Sequence, residues 1–167
     1  NTGELNMISA GQKVNKLMQD FFTAYFNERD YKAAAGFLRE DIRWIGLGAV
    51  CSARDRSEAV KFLQAEIAAA PYAVFFEYEN VQNVMLSETA AVFLCDLLLK
   101  KNKDGYDSDI SIRVMAACNC CDSVWKIAAL HVSQANMGPE TGDFFPAAFS
   151  MEKVAEVESS INRQMLG

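Results

Sequence analysis

Apolar side chains in the first part of the chain recur at the three- and four-residue spacing that is typical of amphipathic helices. The clearest set follows Ser9-x-x-Gln12, which has the form of a helix capping box. One face of this helix carries Val14, Leu17, Met18, Phe21, Phe22 and Tyr25. Asp30 can cap a second helix, Tyr31 to Arg39, because its side chain can accept from the first free backbone N–H groups. The chain is therefore predicted to begin with two helices.

A short strand and a third helix are expected next. Residues 41–47 alternate as a strand, which places Ile42 and Trp44 on one face. Ser57 to Ala70 carries an apolar helical stripe, and Pro71 ends it.

From Tyr72 onward, β-branched and aromatic residues dominate, and the apolar period falls from about four residues to two. This pattern predicts four strands, at Tyr72 to Leu86, Thr89 to Lys100, Asp107 to Cys121 and Ser123 to Gln134. The short joints between them indicate antiparallel neighbours, and hence a meander sheet. Because Glu77 and Glu79 share the parity of apolar residues in the first of these strands, a β-bulge is expected there.

The C-terminal tail follows Gly138 and contains one more predicted helix, Met151 to Met165. Its narrow apolar seam consists of Val154, Val157, Ile161 and Met165. Such a seam fits a coiled coil, with docking on the same domain as the alternative. We therefore expect an N-terminal extension or tag remnant over residues 1–8, a domain over 9–138, and a loop with a helix that could pass on a signal over 139–167.

Composition narrows the classes of protein. The 167 residues are 51% hydrophobic and 23% charged, with a formal net charge of −6. This is too apolar for a disordered chain and enough to bury a core. No apolar run reaches the roughly 18 residues of a membrane helix. The scattered Lys and Arg lack the clustering that binds phosphates. We expect neither membrane insertion nor a nucleic-acid partner.

The five cysteines, an odd number, are Cys51, Cys95, Cys118, Cys120 and Cys121. Reduced thiols in the cytoplasm are the favoured interpretation. A metal site at the last three would need a fourth ligand from elsewhere in the chain. Motifs for phosphate loops, nucleophile elbows and His-Glu-x-x-His zinc sites are lacking. We predict no cofactor and no metal.

Several short segments together resemble the NTF2-like superfamily, and within it the SnoaL-like domains. They are Tyr25-Phe26, Trp44-Ile45-Gly46, Trp125-Lys126-Ile127 and His131-Val132-Ser133. The resemblance implies an α+β cone, in which N-terminal helices pack on a curved antiparallel meander sheet, and here a C-terminal helix is added. It also implies a pocket between the helices and the sheet, and a homodimer that buries the outer face of the sheet. Gly142 to Pro146 resembles the segment after the last strand in SnoaL-like sensor modules of bacterial signalling proteins.

Strict alternation suggests where the pocket's polar groups lie. In the last strand, one face is predicted to carry Trp125, Ile127, Ala129, His131 and Ser133. If the mixed polar faces of the sheet line the cone, Arg113 and His131 converge with Tyr25 and Trp44 around a small anionic or aromatic ligand, and Asp109 lies beside them. Alternatively, this face meets solvent and Arg113 pairs with Asp109.

Three functions follow from these features. The first is a non-catalytic small-molecule-sensing or interaction domain of a bacterial signalling or regulatory protein. The second is a small isomerase, cyclase or hydratase-type enzyme. Its candidate catalytic acid–base residue is His131, the one histidine, since an unperturbed imidazole pKa of ~6.5 suits proton transfer. The carboxylates that could assist it are Asp96, Asp109, Glu77 and Glu79. The third is a structural dimerisation module with a filled cone.

Overall fold

The computed structural model of the protein describes residues 9–47, 51–101 and 110–134. The predicted extension over residues 1–8, the predicted loop and helix over 139–167 and the candidate site residue Asp109 lie outside these ranges. Within the ranges, no helix combines the length and the apolar character that crossing a membrane requires.

The first helix, α1, spans Ala10–Phe22 and begins at the predicted capping box. The Ser9 hydroxyl accepts from the backbone N–H of Gln12, and the Gln12 side chain accepts from the backbone N–H of Ser9 at 2.8 Å. The chain continues as a π-helical segment, Thr23–Asn27, which we call the π-turn. Its wider winding buries three consecutive side chains, Ala24 to Phe26.

The second helix, α2, is shorter than its sequence suggests. It spans Tyr31–Gly36 and is capped by Asp30, as expected. The prediction that it continues to Arg39 is wrong, because Leu38 already pairs with Ile127 in the sheet. Pairing with a distant strand therefore overrides the local preference for helix.

Six strands within the described ranges form one mixed sheet. The elements after α2 are β1 (Leu38–Ile45), β2 (Ser52–Ala53), α3 (Arg56–Ala69), β3 (Phe75–Ser87), β4 (Ala90–Lys100), β5 (Ile110–Cys121) and β6 (Val124–Gln134). The order across the sheet is β2-β1-β6-β5-β4-β3. Strands β3 to β6 are the predicted antiparallel meander, whereas β1 runs parallel to β6 and antiparallel to the unpredicted β2. The fold is an α+β, NTF2-like cone.

The core lies between the helices and one face of the curved sheet. Alternate residues of β4 and β5 face the helices, and Phe93, Leu97, Ile112 and Val114 are at most 2% exposed. They belong to one buried cluster with Phe21 and other side chains of α1. Burying a side chain of this size contributes roughly 1.5–3 kcal/mol. The sheet face turned away from this core is called the outer face below.

Two bulges alter which side chains face the core. The expected bulge in β3 lies between Glu79 and Gln82. A second, unpredicted one lies in β6, where Ile127 pairs with Cys118 and Ala129 with the adjacent Ala117, so that Ala128 is the extra residue.

The bulge in β6 overturns the predicted facing of that strand. Trp125 and Ile127 face the core, but beyond Ala128 the core side is taken by Leu130 and Val132. Three residues that were predicted to share the face of Trp125 and Ile127 lie on the outer face instead. They are Ala129, His131 and Ser133. Strict alternation fails because one additional residue reverses the parity of everything after it.

The turn between β5 and β6 places two residues in the left-handed region. Asp122 has φ 50° and Ser123 has φ 65°, as the central residues of a type I′ hairpin turn do. Asparagine, aspartate and glycine tolerate this conformation, whereas serine has no such advantage. Ser123 is therefore a locally strained position.

Replacing Ser123 by glycine should raise the free energy of unfolding by about 0.5–1 kcal/mol, since relief of the strained backbone exceeds the entropy that glycine adds to the unfolded chain. Urea denaturation measures the change. Glu88→Gly, in the turn between β3 and β4, is the matched control, because Glu88 is not among the described residues with positive φ. Equal destabilisation by both substitutions would contradict the argument.

Candidate functional site

A pocket of about 210 Å³ lies between the helices and the sheet. The π-turn, α3 and the end of β1 surround it together with core residues of β4 to β6. Its apolar wall includes Phe21, Phe22, Phe26, Phe62, Leu99, Ile112, Leu130 and Val132. The side chains with polar atoms that line it are Tyr25, Trp44, Cys51 and Glu66.

Trp44 is the centre of the aromatic wall. Its ring meets that of Phe62 edge-on, with centroids 5.2 Å apart, and lies 5.8 Å from Phe21. Tyr25 also meets it edge-on, at 6.0 Å and 83°. Of the five residues expected to form a ligand site, the structure thus brings Tyr25 and Trp44 together.

Arg113 and His131 do not join them. The Arg113 side chain is 67% exposed on the outer face, and its Nε lies 3.9 Å from Asp96 Oδ1. His131 is exposed on the same face, opposite Met115 of β5 and Ile45 of β1. The expected convergence in the cone is wrong for two reasons. The core side of β5 belongs to its even-numbered residues, and the bulge in β6 turns His131 outward.

The three carboxylates suggested as partners of His131 that fall within the described ranges, Glu77, Glu79 and Asp96, also lie away from the pocket. Glu77 is exposed and forms an ion pair with Lys100 at 2.9 Å. Glu79 lies opposite Asp96 in the antiparallel register of β3 and β4. Asp96 accepts a hydrogen bond from Asn80 at 2.7 Å. None of these side chains lines the pocket.

A charged group that the sequence analysis missed is Glu66, on α3. Both of its carboxylate oxygens accept from Arg29 Nη2, at 3.2 and 3.3 Å. Burial, together with the nearby negative charge of Glu66, raises the pKa of the Tyr25 phenol. The four-residue spacing of Phe62 and Glu66 on a buried helical stripe was the available signal.

Arg29 fastens the π-turn to α3. Its guanidinium donates to the carbonyl oxygens of Tyr25 at 3.2 Å and Ala70 at 2.8 Å, besides Glu66. The side chain is 8% exposed, and its backbone has φ 55°. We call this set, Arg29 with Glu66, Tyr25 and the Ala70 carbonyl, the clamp. It neutralises the carboxylate in the pocket wall and fixes the distance between two of the elements that form that wall.

The cysteine cluster does not gather its thiols at one place. Cys118 is buried with its Sγ 3.9 Å from Met18 Sδ, and burial raises its pKa to about 12. Cys121 is exposed. Among the described residues, no three His, Cys, Asp or Glu side chains lie close enough to hold a metal ion.

The clamp predicts a large effect of Arg29→Ala. Removing the guanidinium leaves the Glu66 carboxylate and two carbonyls without their donor, and should lower the free energy of unfolding by about 2–3 kcal/mol. Arg54→Ala is the matched control, because the Arg54–Glu58 pair is exposed and should cost less than about 1 kcal/mol. Adding Glu66→Gln to Arg29→Ala should restore part of the lost free energy of unfolding. Equal losses in the two single variants would contradict the clamp.

The described fold is similar to that of several solved structures. An NTF2-like protein of unknown function from Pseudomonas putida KT2440 superposes with a TM-score of 0.66 at 14% identity, covering 80% of this chain and 94% of that one. A hexachlorocyclohexane dehydrochlorinase, LinA-type3, from Novosphingobium barchaimii gives 0.62 at 15%, covering 80% and 92%. A ketosteroid isomerase-like protein from Erwinia carotovora atroseptica gives 0.60 at 14%, covering 73% and 93%. At these identities the likeness concerns the fold alone.

No curated protein sequence matches the chain significantly. A family model does match its amino-acid sequence. The model of the SnoaL-like domain matches residues 14–137, which contain every described strand and α1 from Val14 onward. This match covers well over half of the 167 residues. The chain therefore belongs to the SnoaL-like domain family.

Proposed function

We propose that the chain is a non-catalytic small-molecule-binding domain, and that it serves as the sensing or interaction domain of a bacterial signalling or regulatory protein. The observation that carries the binding role is the pocket of about 210 Å³, walled by aromatic rings. A concave apolar site with few polar groups is the usual form of a small-molecule site. A structural dimerisation module would fill this space with its own side chains.

The chemistry of the pocket supports binding without turnover. Its ionisable side chains within the described ranges are Tyr25, Cys51 and Glu66. The Glu66 carboxylate is held by Arg29, and the raised pKa of Tyr25 keeps the phenol protonated. An acid–base catalyst needs a group that exchanges protons near the working pH.

The alternative function is that of a small isomerase, cyclase or hydratase-type enzyme. Its candidate base does not line the pocket. His131 lies exposed on the outer face, and a catalytic base must reach the proton that it removes. The similar structures named as a dehydrochlorinase and as ketosteroid isomerase-like share the fold, which by itself carries no particular reaction.

The signalling part of the proposal depends on the sequence of the tail. Gly142 to Pro146 resembles the corresponding segment of sensor modules, and Met151 to Met165 carries a helical seam. Both segments lie outside the described residues. A ligand can change an output only if it binds one arrangement of the protein better than another.

The binding role predicts that indane, an uncharged two-ring hydrocarbon, enters the pocket. Burying about 200 Å² of its surface should contribute about 5 kcal/mol, which corresponds to a dissociation constant of roughly 0.1–1 mM. Titration followed by ¹H–¹⁵N NMR measures this affinity and locates the shifted amides. Val132→Trp, which places a large ring on the pocket wall, should weaken binding at least tenfold.

Val81→Trp is the matched control, because Val81 lines a groove beside α1 and does not line the pocket. It should bind indane as the unmodified chain does. Absence of indane binding, or shifts that lie away from the π-turn and α3, would overturn the binding role. Turnover of any bound compound would overturn the non-catalytic part of the proposal.

We also propose that the outer face pairs with a second copy of the chain. A continuous row crosses this face from Leu94 through Met115 and His131 to Ile45. Met115 is 47% exposed and Ile45 is 56% exposed. Val84 in β3, which neighbours β4, is 48% exposed. Large apolar side chains grouped on one exposed face are typical of an interaction surface.

Met115→Glu should convert a dimer into a monomer, since it buries an unpaired charge at the centre of the interface. Analytical ultracentrifugation should give twice the 18.5 kDa of the chain before the substitution and 18.5 kDa after it. Tyr72→Glu is the control, because Tyr72 is 49% exposed but precedes β3. A monomeric unmodified chain would contradict the dimer and leave the pocket proposal unaffected.

A further inference from the structure

A buried hydrogen-bond donor in the pocket has no acceptor among the described residues. Trp44 is 3% exposed, and its indole Nε1 donates to no atom of the described residues. Leaving such a donor unpaired costs more than a hydrogen bond usually contributes, so most buried donors in proteins have partners. The exception lies in the wall of the pocket that we propose as the binding site.

Space beside this donor is kept open by Gly46. A side chain at Gly46 would begin 3.7 Å from Trp44 Nε1 and would approach Cys51 Cβ to 2.9 Å, which is too close. Glycine therefore keeps the pocket free of protein atoms next to the indole N–H. Gly46 and Cys51 themselves line the pocket, so the open space belongs to it.

The size and charge of the pocket limit what can supply the acceptor. An apolar cavity of about 150 Å³ is known to hold benzene, and this pocket of about 210 Å³ has room for one or two fused rings. The charged side chain that lines it, Glu66, is an anion already engaged by Arg29. No Lys, Arg or His of the described ranges lines the pocket, so an anionic ligand would be left uncompensated.

We propose that Trp44 Nε1 is the recognition donor of the pocket, and that the ligand is a small, uncharged one- or two-ring compound with a carbonyl or ether oxygen. This inference rests on the proposed binding function and specifies its ligand class. The ring system is held by the aromatic wall, while the oxygen accepts from Trp44. The hydrogen bond fixes which end of the ligand faces β1.

A matched pair of ligands tests the inference. Indane and 1-indanone share the same two-ring frame, and only 1-indanone carries an acceptor oxygen. In the unmodified chain, 1-indanone should bind about 3- to 10-fold more tightly than indane, because the new hydrogen bond outweighs the loss of hydration of the carbonyl. In Trp44→Phe the preference should disappear or reverse, since the carbonyl is then buried without a donor.

A second measurement does not depend on the variant's folding. The chain has two tryptophans, Trp44 and Trp125, and Trp125 does not line the pocket. In ¹H–¹⁵N spectra of the unmodified chain, 1-indanone should move the Trp44 indole N–H signal downfield, as a new acceptor does. The Trp125 indole signal should stay in place, and indane should not cause the downfield shift.

The outcomes separate this inference from the proposed function. Equal affinities for the two ligands, with an unmoved Trp44 indole signal, would overturn the donor role and leave the binding role intact. Failure of both ligands to bind would overturn the binding role itself, and this inference with it. A preference for 1-indanone that survives in Trp44→Phe would assign the recognition of the oxygen to another group.

Discussion

The extra residue at Ala128 in β6 decides the composition of both faces of the sheet. Ile127 and Leu130 are both buried, at 0% and 2% exposure, although they are three positions apart, and a regular strand would turn one of them outward. With the bulge, Leu130 and Val132 complete the pocket wall, while His131 moves to the outer face. Without it, an imidazole would stand in the pocket. The chemistry of the pocket therefore depends on one unpaired position in the ladder.

The clamp compensates the negative charge that Glu66 places in the wall of the same pocket. A carboxylate in an aromatic wall is costly unless its charge is compensated, and Arg29 compensates that of Glu66 from a side chain that is itself 8% exposed. The same guanidinium bonds to the Ala70 carbonyl, at the end of α3, and to the Tyr25 carbonyl in the π-turn. Arg29 thus both compensates the carboxylate and connects two elements of the pocket wall. Among the described residues that line the pocket, Trp44 has a buried donor with no partner.

Features set by neighbours in the sequence could be predicted, and those set by distant contacts could not. The Ser9 capping box and the meander depend on local spacing, and the structure has both. Alternation also placed Trp44 on the same face as Ile42, and both are buried. The Arg29–Glu66 pair joins residues 37 positions apart, which no local pattern reveals. The bulge at Ala128 was equally hidden, because alanine fits either face of a strand.

The unpaired Trp44 donor shows how folding can prepare a binding site. Edge-on contacts of this indole with Phe62, Phe21 and Tyr25 are each worth about 0.5–1.5 kcal/mol, enough to offset the roughly 1–3 kcal/mol cost of a buried N–H without an acceptor. Folding therefore holds the donor in place before any ligand arrives. A ligand oxygen then gains the hydrogen bond without having to order the side chain. A hydrocarbon of the same shape gains burial alone, so the donor acts chiefly on selectivity among compounds that already fit.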